Sequence, residues 1–222
     1  MRRKRGERGM ARTRIKICGV RDAGTAMVAA EAGADAVGFV FVRGSTRYID
    51  PDEAFEVMAS LPPFVASVGV YVVEDVNAFT ELEQRCPTVH TQLHGDEDER
   101  LVEACGPAIK AVRFDPGRGV AALRGEVERW SAMPDVEAVL IDGPAPGSGE
   151  VLDWASVAEA IAGVETRVIL AGGLTPENVA GAIRTVRPYG VDVSSGVERE
   201  PGVKDAGLIA AFCEAVHAAD AG

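Results

Sequence analysis

The sequence predicts an α/β protein folded as a single (β/α)₈ barrel, the TIM-barrel architecture, and three observations support this. Eight short apolar runs alternate with eight amphipathic segments along the 222 residues. Most of the strand candidates are continuously apolar rather than alternating, which is typical of parallel strands buried on both faces. No linker-like stretch interrupts the alternation, and eight strand–helix pairs in about 200 residues suit one barrel domain.

The elements can be placed in order along the chain. Strands are predicted at Arg14–Cys18, Ala36–Phe41, Val65–Tyr71, Val89–Leu93, Ile109–Phe114, Ala138–Ile141, Arg167–Leu170 and Val191–Val193. Helices are predicted near Asp22–Ala32, Pro51–Leu61, Val76–Arg85, Glu97–Ala104, Val120–Trp130, Trp154–Ala162, Pro176–Val186 and Asp205–Ala218. An open, doubly wound sheet is the structural alternative, but it usually has fewer strands, and no G-x-G-x-x-G motif follows the first strand candidate.

Capping residues mark several helix starts. Asp22 precedes the first helix candidate. The pairs Asp50-Pro51, Asp153-Trp154 and Thr175-Pro176 each place a capping residue before the first helical position, where proline is also favoured. These pairs predict where three further helices begin.

The chain divides into a short basic head and one large domain. Residues 1–12 include "MRRKRGERG", which we expect to be a disordered extension, and Met10 is an alternative start. Residues 13–222 are predicted to form one catalytic barrel domain. No apolar h-region follows the basic head and no apolar run is long enough to cross a bilayer, so we expect neither a secretory signal nor a membrane partner.

Charge and cysteine usage restrict the partners. The net charge is −11 and the acidic residues are dispersed, which disfavours nucleic acid and leaves a small anionic ligand open. The four cysteines show no C-x-x-C spacing, so neither a zinc site nor a disulfide framework is indicated. We therefore expect a cytoplasmic protein without a metal. The sequence does not distinguish a monomer from a homodimer. It also does not show the role of the acidic surface.

Residues that end the strand candidates are the candidates for an active site, because (β/α)₈ barrels carry their active sites at that face. "LAGGLTPENV" places Gly172 and Gly173 after the seventh strand, and "VDVSSGVE" places Ser194, Ser195 and Gly196 after the eighth. Glycine backbones, serine hydroxyls and a helix N-terminus can together bind a phosphate. Either segment alone can be explained by glycines that form a tight turn. The two segments together, after the seventh and eighth strands, favour a phosphate site.

Asp142 and Cys18 each admit a structural and a catalytic interpretation. Asp142 ends the sixth strand and either caps a turn or acts as a general acid, which at a free pKa of about 3.9 would require that pKa to be raised. Cys18 is either an inert core thiol or a base at the barrel mouth. Lys16 lies two residues earlier on the same side and can lower a thiol pKa, or it can pair with a carboxylate inside the barrel.

Three more residues are pocket candidates. Arg47, in the loop "FVRGSTRYI", either clamps a ligand carboxylate or is a solvated charge. Gln92 and His94 lie in "TQLHG". His94 more often serves as a hydrogen-bonding residue than as a ligand, and without a second histidine nearby a metal is not expected.

The chain resembles the phosphoribosylanthranilate isomerase family over almost its whole length, from about Ile15 to Val216. The resemblance rests on seven segments in the order of the family: "KICGV", "GADAVGFVF…STRYI", "PPFVASVGVYV", "TQLHG", "LIDG…GSG…LDW", "LAGGLTPENV" and "RPYGVDVSSGVE…PGVKD". It implies a cofactor-free Amadori rearrangement of a small phosphorylated aminosugar, N-(5-phosphoribosyl)anthranilate, to 1-(2-carboxyphenylamino)-1-deoxyribulose 5-phosphate in tryptophan biosynthesis.

The resemblance also implies roles for individual residues. Cys18 resembles the general base that removes the proton from C2 of the sugar, and Asp142 resembles the general acid that protonates the ring oxygen. Arg47 resembles the residue that holds the anthranilate carboxylate. The backbones of Gly172–Gly173 and Ser194–Gly196 resemble the phosphate cradle. One departure is the acidic Glu150 in "PGSGE", where the family usually has a basic or amide residue.

Competing functions stay open at this point. A dual-specificity isomerase that also serves histidine biosynthesis would be expected to have an aspartate in place of Cys18. Indole-glycerol-phosphate synthase would be expected to use a lysine as its acid and to cover the barrel mouth with an N-terminal extension. A barrel that binds a phosphorylated metabolite without converting it is the non-enzymatic alternative.

Overall fold

The computed structural model describes residues 12–143 and 151–221, and within them eight parallel strands close into a barrel in sequence order. The predicted (β/α)₈ architecture is confirmed and the open sheet is excluded. β1 pairs with β8 as well as with β2, which completes the barrel. The strands are β1 (Arg14–Cys18), β2 (Ala36–Val40), β3 (Ala66–Tyr71), β4 (His90–Leu93), β5 (Ala108–Arg113), β6 (Val136–Asp142), β7 (Val168–Leu170) and β8 (Gly190–Val193).

A helix follows each strand of the barrel. The helices are α1 (Ala23–Glu31), α2 (Pro51–Ala59), α3 (Val76–Arg85), α4 (Glu99–Cys105), α5 (Gly119–Ser131), α6 (Trp154–Ile161), α7 (Val179–Val186) and α8 (Ala206–Ala221). Between β8 and α8 lie a 3₁₀ turn at Ser195–Val197 and an antiparallel hairpin of β9 (Glu198–Glu200) and β10 (Val203–Lys204), which the sequence did not predict. In the described ranges, no helix is long and apolar enough to cross a membrane.

Apolar side chains fill both faces of the sheet. On β6, Val139 and Ile141 are buried in the cluster between the strands and the helices, whereas Leu140 belongs to a separate cluster with Val68 and Ile169 inside the barrel. Successive side chains of a strand point to opposite faces. Strands buried on both faces therefore need continuously apolar sequences, which is the pattern that predicted them.

Aspartate side chains begin many of the helices. Those of Asp22, Asp50, Asp75, Asp98 and Asp153 accept hydrogen bonds from backbone N–H groups in the first turns of α1, α2, α3, α4 and α6. The predicted starts at Asp22, Asp50-Pro51 and Asp153-Trp154 are confirmed. Each cap satisfies amide groups that have no partner within the helix.

The predicted start of α7 at Thr175-Pro176 is wrong, because the helix begins at Val179. Asn178 precedes it without capping it. The Asn178 side chain instead accepts a hydrogen bond from the Thr175 N–H at 2.8 Å and donates one to the Gly173 carbonyl at 2.8 Å. These bonds stabilise a separate turn, so the loop after β7 is held by a side chain rather than continued into a helix.

Two sequence predictions fall at the limits of the described chain. Residues 1–11 of the expected extension and the departure at Glu150 lie outside the described residues. Arg12, the last residue of the expected extension, donates a hydrogen bond from Nη1 to Asp35 Oδ2 at 2.8 Å. The Arg12 side chain therefore contacts the barrel.

The Asp75 cap provides a test of the local rules. Its Oδ1 accepts hydrogen bonds from the N–H groups of Asn77 at 2.8 Å and Ala78 at 3.0 Å. We expect Asp75→Ala to lower the free energy of unfolding by about 1 kcal/mol, measured by urea denaturation. Glu74→Ala removes the same charge from an exposed neighbour and should have little effect. Equal losses in both variants would contradict the capping role.

Candidate active site

A cavity of about 590 Å³ opens at the C-terminal ends of the strands. Strand ends and loops from β1 to β8 contribute to its wall, as expected for the catalytic face of such a barrel. Most of the site residues predicted from the sequence line this one cavity: Cys18, Arg47, Gln92, His94, Asp142, Gly172, Gly173, Ser194 and Ser195.

Cys18 ends β1 with its side chain inside the barrel mouth, where it is 7% exposed. Gly38 of β2 provides the room for it. A Cβ at that position would lie 2.9 Å from Cys18 Sγ and 3.2 Å from Lys16 Cε. The absence of a side chain at position 38 therefore lets both the thiol and the lysine lie against β2.

Burial raises the pKa of the Cys18 thiol above its ordinary value. Lys16 lowers this pKa, as the sequence suggested, but it does not offset the burial, and Asp192 raises the pKa further. The net shift of the thiol pKa is therefore upward, opposite in direction to the effect of Lys16 alone. The sequence could not reveal this, since the desolvation depends on the closed barrel.

Lys16 belongs to the barrel interior, so the second of the two alternatives for it is the one observed. It is absent from the described residues that line the cavity. Its Nζ donates a hydrogen bond to Asp192 Oδ1 at 2.9 Å, and both side chains are more than nine-tenths buried. Asp192 itself reaches the cavity wall, so the pair lies at the base of the site beside Cys18.

Two groups contact the Asp142 side chain at the end of β6, and a third group contacts one of them. The Gly143 N–H donates to its Oδ1 at 2.7 Å, and His94 Nε2 lies 3.2 Å from its Oδ2. Gln92 Nε2 lies 2.8 Å from His94 Nδ1. The tautomer of His94 sets which partner donates in each of these two contacts. His94 is therefore a hydrogen-bonding residue, as the sequence favoured, and it orients the carboxylate.

Arg47 lines the cavity but is not a solvated loop charge. Its Nε donates to Glu198 Oε1 at 2.8 Å and its Nη2 donates to Glu198 Oε2 at 2.9 Å. Its side chain is 15% exposed. The hydrogen bonds to Glu198 raise the pKa of the guanidinium, which therefore stays charged.

The loops after β7 and β8 form the glycine-rich and serine-rich side of the cavity. Gly172 and Gly173 have positive φ angles of 79° and 64°, which glycine adopts without strain. A Cβ at Gly172 would lie 2.7 Å from the Gly143 nitrogen. Gly196 does not line the cavity; it packs under the β7 loop, where a Cβ would overlap the carbonyl oxygen of Leu174. The sequence predicted that Gly196 binds the phosphate, whereas the structure places it against the loop that would do so.

An apolar patch forms another part of the cavity wall. Val40, Val42, Val70 and Val72 come from the ends of β2 and β3 and the residues that follow them. A flat aromatic or aliphatic group of a ligand can be buried against these side chains. The cavity thus combines an apolar wall with a polar rim.

Sequence reasoning missed three charged residues that act at the site. Asp192 is a charged residue within an apolar strand, and that position was the available signal. Glu198 and Lys204 belong to the β9–β10 hairpin and lie in segments that carried the resemblance, but nothing in their spacing indicates a contact with Arg47.

Within residues 12–143 and 151–221, no cluster of three or more His, Cys, Asp or Glu side chains could hold a metal ion.

Fold and cavity together define a (β/α)₈-barrel enzyme with its active site at the C-terminal face. Residues 15–215 match the family described as N-(5'phosphoribosyl)anthranilate (PRA) isomerase. The chain therefore belongs to the PRA isomerase family, whose members are enzymes of tryptophan biosynthesis. The recognition made from the seven sequence segments is confirmed.

Individual relatives agree with the family match. The chain is 43% identical to the N-(5'-phosphoribosyl)anthranilate isomerase of Pseudomonas fluorescens strain Pf0-1, covering 94% of this chain and 100% of that one. It is similar to the crystal structure of the enzyme from Thermus thermophilus, with a TM-score of 0.83, 37% identity and coverage of 93% and 99%. A PRA isomerase solved with reduced 1-(o-carboxyphenylamino)-1-deoxyribulose 5-phosphate has a TM-score of 0.79, 35% identity and the same coverage.

The raised thiol pKa predicts how Cys18 reacts. We expect iodoacetamide to alkylate Cys18 slowly at neutral pH, and faster only as the pH rises beyond about 8.5, the ordinary thiol value, because only the thiolate reacts. Peptide mass spectrometry gives the rate at each pH, with glutathione as the reference thiol. A rate that levels off below pH 8 would contradict the effect of burial.

The other three cysteines are internal controls for this experiment. Burial raises the pKa of Cys86, Cys105 and Cys213 to about 11. None of them is among the described residues that line the cavity. Labelling confined to Cys18 would show that access through the cavity, not unfolding, gives the reaction.

Proposed function

We propose that this chain isomerises N-(5-phosphoribosyl)anthranilate to 1-(2-carboxyphenylamino)-1-deoxyribulose 5-phosphate, with Asp142 as general acid and Cys18 as general base. The observation that carries the proposal is that the thiol ending β1 and the carboxyl group ending β6 line the same cavity. An acid and a base on different strands can reach the ring oxygen and C2 of one sugar. Family membership supplies the substrate.

In the first step Asp142 gives a proton to the ring oxygen of the ribose. The bond between that oxygen and C1 breaks, and the anthranilate nitrogen takes up the positive charge as a Schiff base. The hydrogen bond from the Gly143 N–H and the contact with His94 Nε2 hold the carboxyl group in one orientation. Fixed orientation of the proton donor is what makes general acid catalysis efficient.

In the second step the Cys18 thiolate removes the proton from C2. The electrons of the C–H bond form the C1–C2 double bond, and the Schiff base nitrogen becomes a neutral amine. The resulting enol becomes the ketone when C1 takes a proton and the C2 hydroxyl releases its proton to water. The positive charge on the Schiff base stabilises the thiolate beside it, as Lys16 does, so a thiol with a raised pKa can ionise when the base is needed.

The remaining residues account for substrate binding. The backbones of Gly172, Gly173, Ser194 and Ser195 form the phosphate cradle, with Gly196 supporting it from below. Positive φ angles at both glycines turn successive backbone groups toward one concave surface, which suits an anion. Arg47 binds the anthranilate carboxylate, and the valine patch packs against its ring.

Location and assembly complete the proposal. We place the reaction in the cytoplasm, which agrees with four free, buried thiols and no disulfide among them. We retain both a monomer and a homodimer as the predicted assembly, and sedimentation velocity distinguishes them. Residues 1–12 are proposed to be an extension of the catalytic domain, joined to the barrel by the contact of Arg12 with Asp35.

The acid–base pair is tested with two conservative variants. We expect Cys18→Ser and Asp142→Asn each to lower kcat by about 10² to 10⁴, the usual contribution of general acid–base catalysis. The loss of anthranilate-type fluorescence from the substrate measures the rate. Asp96→Asn makes the same carboxyl-to-amide change at an exposed position and should retain normal activity. Normal activity in either active-site variant would remove its proposed role.

The same assay examines substrate specificity. We expect no measurable turnover of the histidine-pathway aminoaldose, because Cys18 stands where the resemblance expects an aspartate in dual-specificity isomerases. Turnover of both substrates would identify the chain as dual-specificity. Turnover of neither, with phosphate still bound, would favour the non-catalytic alternative.

A further inference from the structure

The β9–β10 hairpin brings a buried charged cluster to the cavity rim. The Glu198 side chain is 4% exposed and accepts four hydrogen bonds. Two come from Arg47, at 2.8 and 2.9 Å, one comes from Lys204 Nζ at 2.7 Å, and one comes from the Gly202 N–H at 3.1 Å. The eight barrel strands close without this hairpin. Closure of the barrel therefore does not explain why these charges are buried together.

The cluster carries one more positive charge than negative. Burial would raise the pKa of Glu198, but the hydrogen bonds from Arg47 and Lys204 outweigh it and lower the pKa to about 2. Glu198 is therefore a carboxylate that faces two cations. A buried group of charges is most stable when its charges are matched. Arg47 is the member of this cluster that lines the cavity, so the surplus positive charge of the cluster favours an anionic ligand there.

The geometry leaves one edge of the guanidinium for that ligand. Glu198 occupies the edge formed by Nε and Nη2, and the flat, two-bond contact fixes the plane of the group. The aliphatic part of Arg47 is fixed as well, because a Cβ at Gly19 would lie 2.9 Å from Arg47 Cδ. Within residues 12–143 and 151–221, Nη1 makes no hydrogen bond. A planar carboxylate can bind this free edge.

We propose that Glu198 is a positioning residue for substrate binding. Together with Lys204 it holds Arg47 so that the free edge of the guanidinium faces the carboxylate of the substrate. Glu198 touches Arg47 and not the substrate. This inference rests on the proposed role of Arg47 as the carboxylate-binding residue.

The same contacts extend toward the base and the phosphate cradle. Lys204 Nζ donates to the Ser194 carbonyl at 2.9 Å, and the Ser194 hydroxyl donates to the Cys18 carbonyl at 3.0 Å. Glu198 therefore fixes Arg47 relative to the strand end that carries Cys18 and to the loop that carries Ser194. Glu198 therefore affects binding by setting the distances between Arg47, Cys18 and Ser194.

A double-mutant cycle tests the proposal with Arg47→Ala, Glu198→Gln and the combined variant. We expect Glu198→Gln to raise KM for phosphoribosylanthranilate about ten-fold with little change in kcat, the size of one charge-assisted hydrogen bond. In the Arg47→Ala background the same substitution should change KM by less than about two-fold, because its effect passes through Arg47. Glu200→Gln, on the same strand but exposed, is the matched control.

A second substrate separates positioning from a structural role. With the phosphoribosyl derivative of aniline, which lacks the carboxylate, Glu198→Gln should leave KM unchanged. An equal rise in KM for both substrates, or a full ten-fold effect in the Arg47→Ala background, would overturn the proposal. If Glu198→Gln does not fold, as shown by circular dichroism, Lys204→Gln takes its place in the cycle with the same expectations.

The controls also distinguish this inference from the proposed function. If Arg47→Ala leaves KM unchanged, the carboxylate-binding role of Arg47 fails and the positioning role fails with it. If Arg47→Ala raises KM but neither Glu198→Gln nor Lys204→Gln does, only the positioning role is overturned.

Discussion

The pairing of β1 with β8 is the contact on which the whole site depends. It joins the first and last strands of the barrel, and in its register Lys16 lies opposite Asp192. Their side chains form a buried ion pair at 2.9 Å across the closing seam. Removing one partner of such a pair leaves an uncompensated buried charge, which costs about 3 to 5 kcal/mol. A shift in the register of β1 against β8 would separate the two charges, so the pair opposes such a shift. The same pair lies next to Cys18.

Closure of the barrel also sets the surroundings of Cys18 and Asp142. It buries the Cys18 thiol and so raises its pKa, while it brings His94 from β4 to within 3.2 Å of Asp142 on β6. Burial thus favours the neutral form of the thiol, and the carboxyl group is held in one orientation. A site with these properties needs strands that come from distant parts of the chain.

Local charge at the cavity differs from the charge of the whole molecule. The chain carries a net charge of −11, yet Arg47 and Lys204 face a single carboxylate at the cavity rim. A buried cation acts over a short distance and is weakly screened, whereas dispersed surface acids are screened by salt. An acidic protein can therefore have a local surplus of positive charge beside its cavity, because these groups are buried together.

The sequence by itself determined the barrel, the caps of α1, α2 and α6, and nine of the residues that line the cavity. Those features depend on local rules: continuous apolar runs, aspartates before helices such as α1 and α6, and polar residues at strand ends. It could not determine that α7 begins three residues after Pro176, since Asn178 bonds back to Gly173 instead of capping the helix. Only the tertiary structure decided the direction of the Cys18 pKa shift and the partners of Lys16 and Arg47. Lys16 meets Asp192 across 176 residues and Arg47 meets Glu198 across 151, and such contacts arise only when the barrel closes and excludes water from them.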